Sequence, residues 1–417
     1  MEDPIMLFSG SVFMALFAVL SFTFIVTIAG FFKKRRWSNG YEPKVSVVIP
    51  CYNEEKNIGA CLEAVKNAGY SNEKMEIIVV DDGSSDRSVE IAKKFCGVRV
   101  LEQKHKGKVE ALNLGSSIAT GEIIITLDAD VMIESSSIKN MVAPFSDPKI
   151  GAVSGVANVK NSGHNMLSAF QSIEYAYLSL IMDSFSTVFG TSFLFCGALA
   201  GFRKDVLASI GGFSKRTEAE DFDIIMQVKR AGYKTLSMKG AVGKTVVPSE
   251  IIPLFRQRAR WWNGIIQSLR KNFDMLHPKY GIVMLLIFSI QLFWLVYSFI
   301  AIPMILYQIF YWIPYNSASL FDLSFYLFRW FNLIGIFYAM YMLPRWGVSF
   351  LSIFGILAGF ITLFMILISF RVFKEKMGIR KYMGVFFFFP YTLLMNMMII
   401  SGAVAHVFKR GKGTFIK

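Results

Sequence analysis

Ile123-Ile124-Ile125-Thr126-Leu127-Asp128-Ala129-Asp130 is a run of strand formers that ends abruptly in two carboxylates. An unbroken β-branched apolar run suits a parallel strand covered on both faces, and in open α/β sheets ligands bind outside the carboxyl ends of the strands. Two carboxylates spaced i, i+2 at that edge form a hard-oxygen site for Mg2+ or Mn2+, with substrate phosphates completing the shell. Taken alone, the same pair also reads as a strand-end turn whose Asp residues cap the next helix. The neighbouring stretches decide between the two.

Upstream, Val45 to Pro50 reads as a second buried strand, Asn53 as the start of a helix running to Ala68, and Glu76 to Asp82 as a third strand ending in Asp81-Asp82-Gly83-Ser84. Short apolar strands alternating with helical patterns define an α/β domain over residues 44–273. Each turn after a strand carries polar or acidic residues, which lines candidate ligand groups along one edge of one sheet. Neither GxGxxG nor GxxxxGK[ST] occurs, which argues against a dinucleotide site or a P-loop. Further on, residues 165–186 place Met166, Phe170, Ile173, Tyr177 and Ile181 on one helical face and Ser168, Ser172, Ser179 and Asp183 opposite. This is an amphipathic helix expected to turn its apolar face to the core. Residues 254–271 form a second helix in which Arg256, Arg258, Arg260, Trp261, Trp262, Arg270 and Lys271 interleave cations with tryptophan, as suits a phosphate clamp or a lipid headgroup layer.

The chain has 417 residues, of which 54% are hydrophobic. Its mean hydropathy of +0.46 is too high for a wholly soluble protein. Residues 5–32 carry no charge and are followed by Lys33-Lys34-Arg35-Arg36-Trp37. The acidic start, Glu2 and Asp3, and the length of the run argue for an uncleaved membrane anchor (residues 1–37) with a basic cytoplasmic flank rather than a signal peptide. Residues 280–408 are mostly membrane, with expected spans at 281–312, kinked at Pro303, and at 324–343, 348–370 and 385–408, before a basic tail at 409–417. Five spans put the catalytic domain and the tail in the cytoplasm of an integral membrane protein of the cell membrane. They also put a loop crowded with Arg371, Lys374, Lys376, Arg380 and Lys381 outside, against the positive-inside rule. Either one apolar run fails to cross, or basic loop and basic tail lie on opposite sides. The net charge of +14 follows the membrane flanks, so nucleic acid is not an expected partner. Cys51, Cys61, Cys96 and Cys196 show no metal-ligand spacing and read as reduced thiols.

Four further features join the central acids. Asp82, before the permissive Gly83, ends its strand. Lys108 opens a helix, where a cation and free backbone N–H groups suit an anion. Glu220-Asp221 opens the helical run 222–230. Gln257, Arg260 and Trp261 share one helical face by i, i+3 and i, i+4 spacing. In this order, Val48-Ile49-Pro50-Cys51-Tyr52-Asn53-Glu54, Val80-Asp81-Asp82-Gly83-Ser84, Gly107-Lys108 to Asn113, Asp128-Ala129-Asp130, Phe195-Cys196-Gly197, Glu220-Asp221 and Gln257 to Trp261 resemble the membrane-embedded processive members of glycosyltransferase family 2, the cellulose, hyaluronan, chitin and poly-N-acetylglucosamine synthases.

The resemblance implies a GT-A nucleotide-sugar-binding domain with a mixed, mostly parallel sheet, transmembrane helices and amphipathic interface helices. It implies inverting, metal-dependent transfer from a UDP-sugar to a growing polysaccharide. The alternative is transfer of one sugar to a ceramide-type or polyprenyl-phosphate lipid, since ceramide glucosyltransferases carry a similar Gln/Arg-rich motif with Trp. Residue by residue, it implies that Pro50, Tyr52, Glu54, Asp82, Lys108, Asp128, Gln257, Arg260 and Trp261 contact the nucleotide sugar. Asp128 and Asp130 would bind Mg2+ or Mn2+, Asp221 would be the general base, and Cys196, Gly197, Glu220 and Trp261 would line the acceptor end, where a residue without a side chain lets the sugar approach. Two departures stand out: no Thr or Ser directly precedes Glu220-Asp221 to hydrogen-bond the base, and one apolar span precedes the domain where several synthases have two or more.

Overall fold

The computed structural model of the protein describes residues 4–33, 35, 37–38, 40–311, 313, 319–346 and 350–410. Lys34 and Arg36 of the basic flank and residues 411–417 of the tail lie outside them. In chain order, α1 is Pro4–Phe32, β1 Val45–Cys51, α2 Ile58–Lys66, β2 Met75–Asp81, α3 Ser88–Lys93, β3 Val98–Glu102, α4 Lys108–Ile118, β4 Ile123–Leu127 and β5 Met132–Ile133. There follow α5 Ser137–Val142, β6 Ile150–Val159, α6 Met166–Phe189, β7 Leu199–Arg203, α7 Lys204–Ser209, α8 Glu220–Arg230, β8 Lys234–Thr245 and α9 Ile251–Lys271. The apolar half holds α10 Ile282–Tyr311, α11 Leu320–Trp330, α12 Ile334–Trp346, α13 Phe350–Val372, α14 Ile379–Phe386 and α15 Phe388–Arg410.

The strands form one eight-stranded sheet in the order β3-β2-β1-β4-β7-β6-β8-β5. The pairs β1/β2, β1/β4, β2/β3 and β6/β8 are parallel, whereas β4/β7, β6/β7 and β5/β8 are antiparallel. The sheet is thus mixed and mostly parallel, as expected. Strand side chains alternate between two cores: Val48, Ile78, Val80 and Ile124 join one, while Val47, Ile49, Val79, Ile123 and Ile125 join the other. That two-sided burial is why these strands read as unbroken apolar runs. Gly121, just before β4, lies so close to β1 that a Cβ there would meet Val45 C and Ser46 N at 2.6 Å. Backbone cannot yield as a flexible side chain does, so Gly121→Ala is expected to destabilise the protein by about 1–3 kcal/mol, seen as a lowered Tm with the fold retained.

One expectation is corrected. Asn53 does not start a helix: it sits at φ 55°, and α2 begins only at Ile58. The left-handed backbone, which Asn tolerates, is fixed by Ser85 N donating to Asn53 Oδ1 at 2.8 Å. The helix read over 165–186 is α6, opened by a capping box on Asn165 and Ser168. Its apolar stripe faces the core, as expected. Ile173 packs with Ile366, Phe370 and Val385, and Phe170 stacks on Tyr391 at 5.1 Å, while the serine face meets β8 through Ser237 N donating to Ser186 Oγ and Lys239 N donating to Asp183 Oδ1. α6 is therefore buried between the sheet and the apolar helices.

Among the described residues four helices, at Leu7–Phe32, Ile282–Tyr311, Ser352–Val372 and Phe388–Phe408, are long and apolar enough to cross a membrane. The run expected to span at 324–343 is α11 and α12, bent by 110°, a broken span or a re-entrant loop, so the number of spans is four or five. The crowded basic loop packs onto the α/β domain: Gly384 of α14 lies against Ile173, and Arg380 donates to Gly163 O at 2.5 Å. Arg35, too, is held inside the protein, donating to Ser237 O at 2.7 Å and Asp183 O at 2.8 Å.

Candidate active site

Parallel pairing brings the carboxyl ends of β1, β2 and β4 to one edge, and the acids there fall into two groups. The first surrounds Asp82, one residue past β2. Its Oδ1 accepts from Gln103 Nε2 at 2.7 Å and Lys106 N at 2.8 Å, and its Oδ2 from Gly107 N at 2.8 Å, with His105 Nδ1 also 2.8 Å away. Burial pushes the carboxyl pKa up, but the hydrogen bonds from Lys106, Gln103 and Gly107 and the nearby His105 outweigh it and hold the group below its usual range. Asp82 thus anchors the 103–107 loop. The loop in turn lays His105 beside the exposed Tyr52, ring centroids 4.4 Å apart. Pro50 ends the same edge on β1, and Glu54 accepts from Asn57 Nδ2 at 2.7 Å. Burial, then Asp130 and Asp128, raise the Glu54 pKa.

The second group lines a cavity of about 1130 Å3 and contains Lys108, Asp128, Asp130, Cys196, Gly197, Glu220, Asp221, Gln257, Arg260 and Trp261. Pro50, Tyr52, Glu54 and Asp82 lie outside that lining. Lys108, at the start of α4 behind Gly107 (φ +96°), bridges Asp128 Oδ1 at 2.7 Å and Glu220 Oε1 at 3.3 Å, tying the end of β4 to the start of α8. Burial lowers the lysine pKa, but Asp128 and Glu220 overcome it and keep the ammonium charged. Asp130 accepts from Thr245 Oγ1 at 3.1 Å; burial and then the charge of Asp128 raise its pKa. An under-neutralised pair of hard oxygen donors is a set that fits a divalent cation. Among the described residues no group of three or more His, Cys, Asp or Glu could hold a metal alone. Such a cation would be shared with phosphate oxygens, the usual way Mg2+ is held in nucleotide sites.

Asp221 sits in the first turn of α8. Its Oδ2 accepts from Gly197 N at 3.2 Å and its Oδ1 from Phe222 N at 2.8 Å, so backbone supplies the hydrogen bonds that the missing Thr or Ser put in question. Burial and then the Glu220 charge push its carboxyl up to about 6, with Lys108 and the two backbone donors opposing. Glu220 moves the other way: Lys108 and Arg260 outweigh its burial. Gly197 lines the cavity, and its missing side chain is matched to Asp221. A Cβ there would lie 2.7 Å from both Cβ and Oδ2 of Asp221, so the space left by the absent side chain is filled by Asp221. On α9, Arg260 Nη1 reaches Glu218 O at 3.5 Å, and Gln257 Oε1 is buried without a hydrogen-bond partner.

Sequence reasoning overlooked His105, Gln103, Thr245 and Glu174, which act across separations of 21 to 115 residues that no local pattern reveals.

Residues 46–211 match the family described as Glycosyl transferase family 2. The chain is 30% identical over 256 residues to the poly-beta-1,6-N-acetyl-D-glucosamine synthase of Staphylococcus aureus (strain COL), covering 58% of this chain and 61% of that protein. The chain thus spans about three-fifths of the length of the synthases it matches. It is 27% identical over 380 residues to the probable glycosyltransferase YdaM of Bacillus subtilis (strain 168), covering 86% of this chain and 81% of the other. Among solved structures it shares the fold of a mannosyltransferase from Pyrobaculum calidifontis, determined in complex with GDP-Man and Mn2+, with a TM-score of 0.55 and 17% identity over 96% of this chain and 99% of that one. The expected GT-A architecture with accompanying apolar helices is the observed one.

Proposed function

We propose that the chain, whose residues 46–211 match glycosyl transferase family 2 and which is similar to a polysaccharide synthase, is an inverting, metal-dependent membrane glycosyltransferase that extends a polysaccharide processively from a UDP-sugar. The observation that carries the reading is the single cavity in which Asp221, Lys108, the strand-end acids and Trp261 meet, and which continues along α10 past Gln291, Trp294, Tyr297 and Gln308. Its volume exceeds the roughly 300–1,000 Å3 of a one-ligand pocket. Aromatic faces and amides along its length suit the alternating C–H faces and hydroxyls of a sugar chain. Its lining also takes in the apolar Phe13, Leu16 and Ile356 of α1 and α13, which favours the second reading, transfer of one sugar to a lipid.

In the proposed reaction the acceptor hydroxyl attacks the anomeric carbon from the face opposite the nucleotide, and Asp221 takes its proton as the new C–O bond forms. The bond to the diphosphate breaks with its electron pair on the leaving UDP. Lys108 and Arg260 supply positive charge to that departing group, so no acid need protonate it. Asp128 and Asp130 would hold Mg2+ or Mn2+, which when bound adds charge stabilisation at the diphosphate. Tyr52 and His105 offer rings for the base on the loop that Asp82 fixes, and Trp261 a platform for the acceptor sugar. The catalytic domain would be cytoplasmic, where nucleotide sugars are made.

The test is to incubate the purified full chain in vesicles with labelled UDP-sugars and Mn2+ and to size the product. A long polymer is expected; a single sugar on an extracted lipid would establish the second reading instead. Asp82→Ala releases four donors at once and frees the 103–107 loop. UDP affinity, measured by calorimetry, is expected to fall at least about tenfold, and unchanged affinity would remove the loop from the nucleotide site.

A further inference from the structure

Where α6, α9 and α15 converge lies a buried charged cluster to which the reaction above assigns no part. Arg258 is 4% exposed and its Nη2 donates to Glu174 Oε2 at 2.9 Å. The Tyr391 hydroxyl donates to the same carboxylate oxygen at 2.5 Å. The guanidinium carbon lies 4.2 Å from the Trp261 ring centroid and 5.5 Å from that of Tyr175. Arg258 Nε has no hydrogen-bond partner, and Glu174, Tyr175, Arg258 and Trp261 all border the cavity.

A buried ion pair is poor value as a staple. Desolvating both charges costs about what their attraction returns, and well-packed apolar side chains usually hold helices together as firmly. What this cluster adds is orientation. Glu174 from α6, itself held by the Tyr391 hydroxyl from α15, fixes the guanidinium, whose carbon lies 4.2 Å from the centre of an indole three residues along α9. Arginine is the cation suited to that task, because its delocalised plane stacks on aromatic rings where an ammonium is a point charge. The ring so held is one of the two tryptophans of α9 that border the cavity beside Asp221.

We propose that Arg258, clamped by Glu174 and Tyr391, is a positioning residue that sets the orientation of the Trp261 ring and thereby the binding of the acceptor sugar, without touching the nucleotide. The proposal rests on the glycosyltransferase reading for the acceptor but not for the ring. Because Trp261 is read as the acceptor platform, loosening it should raise the acceptor KM while leaving donor KM alone. A residue that only joined helices would instead alter stability and the amount of folded protein.

The experiment uses the full chain labelled with 5-fluorotryptophan, with the Trp261 19F resonance assigned from Trp261→Phe. Three variants are compared: Arg258→Lys, Tyr391→Phe and the double Glu174→Gln/Arg258→Met, which replaces the ion pair by neutral groups of similar size and leaves no charge stranded. The expected result is a shifted or broadened Trp261 resonance in all three, with acceptor KM for a β-1,6-linked N-acetylglucosamine oligomer raised about tenfold in the double variant, a loss of the size of one stacked cation. Donor KM should stay within about twofold and Tm within about 4 °C of the parent. An unmoved Trp261 resonance in a folded double variant overturns the proposal, as does a moved resonance with unchanged acceptor KM. Should the parent protein transfer no sugar at all, the functional reading fails, and the resonance alone still decides whether Arg258 positions the ring.

Discussion

Asp221→Asn is expected to lower the transfer rate by about a thousandfold, within the range that a positioned general base contributes, while UDP binding stays within about twofold. The substitution preserves volume, and its one carbonyl oxygen can keep the shorter bond from Phe222 N, which holds the first turn of α8, while the bond from Gly197 N to the second oxygen is given up. What is lost is the oxygen that takes a proton. The pH profile gives an independent check. Burial and the Glu220 charge lift the Asp221 carboxyl to about 6. The group is ionised and able to act as base above that value and is protonated below it, so kcat/KM should fall about tenfold per pH unit below roughly 6. The Asn variant should lack that limb. Glu220→Gln removes the like charge that raises Asp221, so in that variant the limb should move to lower pH. Normal turnover in Asp221→Asn would transfer the role of base elsewhere.

The parts of this site legible in the sequence are those where one short stretch carries both the structure and the chemistry. The β4 run and its two acids are such a stretch, since a strand buried on both faces is apolar at every position and its end announces itself when charges begin. Contacts between distant stretches were not legible. Thr245 reaches Asp130 only because β8 joins the same sheet, and His105 meets Tyr52 only because Asp82 gathers the loop. Nor does hydropathy record direction: α11 and α12 add up to the length of a span yet bend by 110°. The apolar stripe of α6 was legible as core-facing, but the neighbours it packs on, α13 and α14, and the β8 backbone groups that its polar face satisfies were not. Arg258 was in view but set aside, because spacing along α9 grouped Gln257, Arg260 and Trp261 while its partner Glu174 stands 84 residues away.

Gly197→Ala is expected to cost about a hundredfold in kcat, the scale of a misplacement of about 1 Å in a catalytic group. The added methyl would sit 2.7 Å from Asp221 Cβ and 2.7 Å from Oδ2, well inside van der Waals contact. Two responses are open, and both move the base. If the side chain of Asp221 rotates away, its Oδ2 loses the hydrogen bond from Gly197 N and with it a donor that helps keep the carboxylate ionised. If the backbone of residues 196–198 retreats, the same N–H withdraws and Cys196 shifts at the cavity wall. In either case one opposing influence on the carboxyl is removed, so the acid limb of the rate profile should move up in pH along with the fall in kcat. Nucleotide binding, proposed to lie at the loop around Asp82, should be unaffected. This outcome separates two reasons for a glycine here. Were it present to admit the acceptor, alanine would raise acceptor KM with kcat and the pH profile little changed; were it present to seat the base, kcat and the profile change together while acceptor KM stays near its parent value.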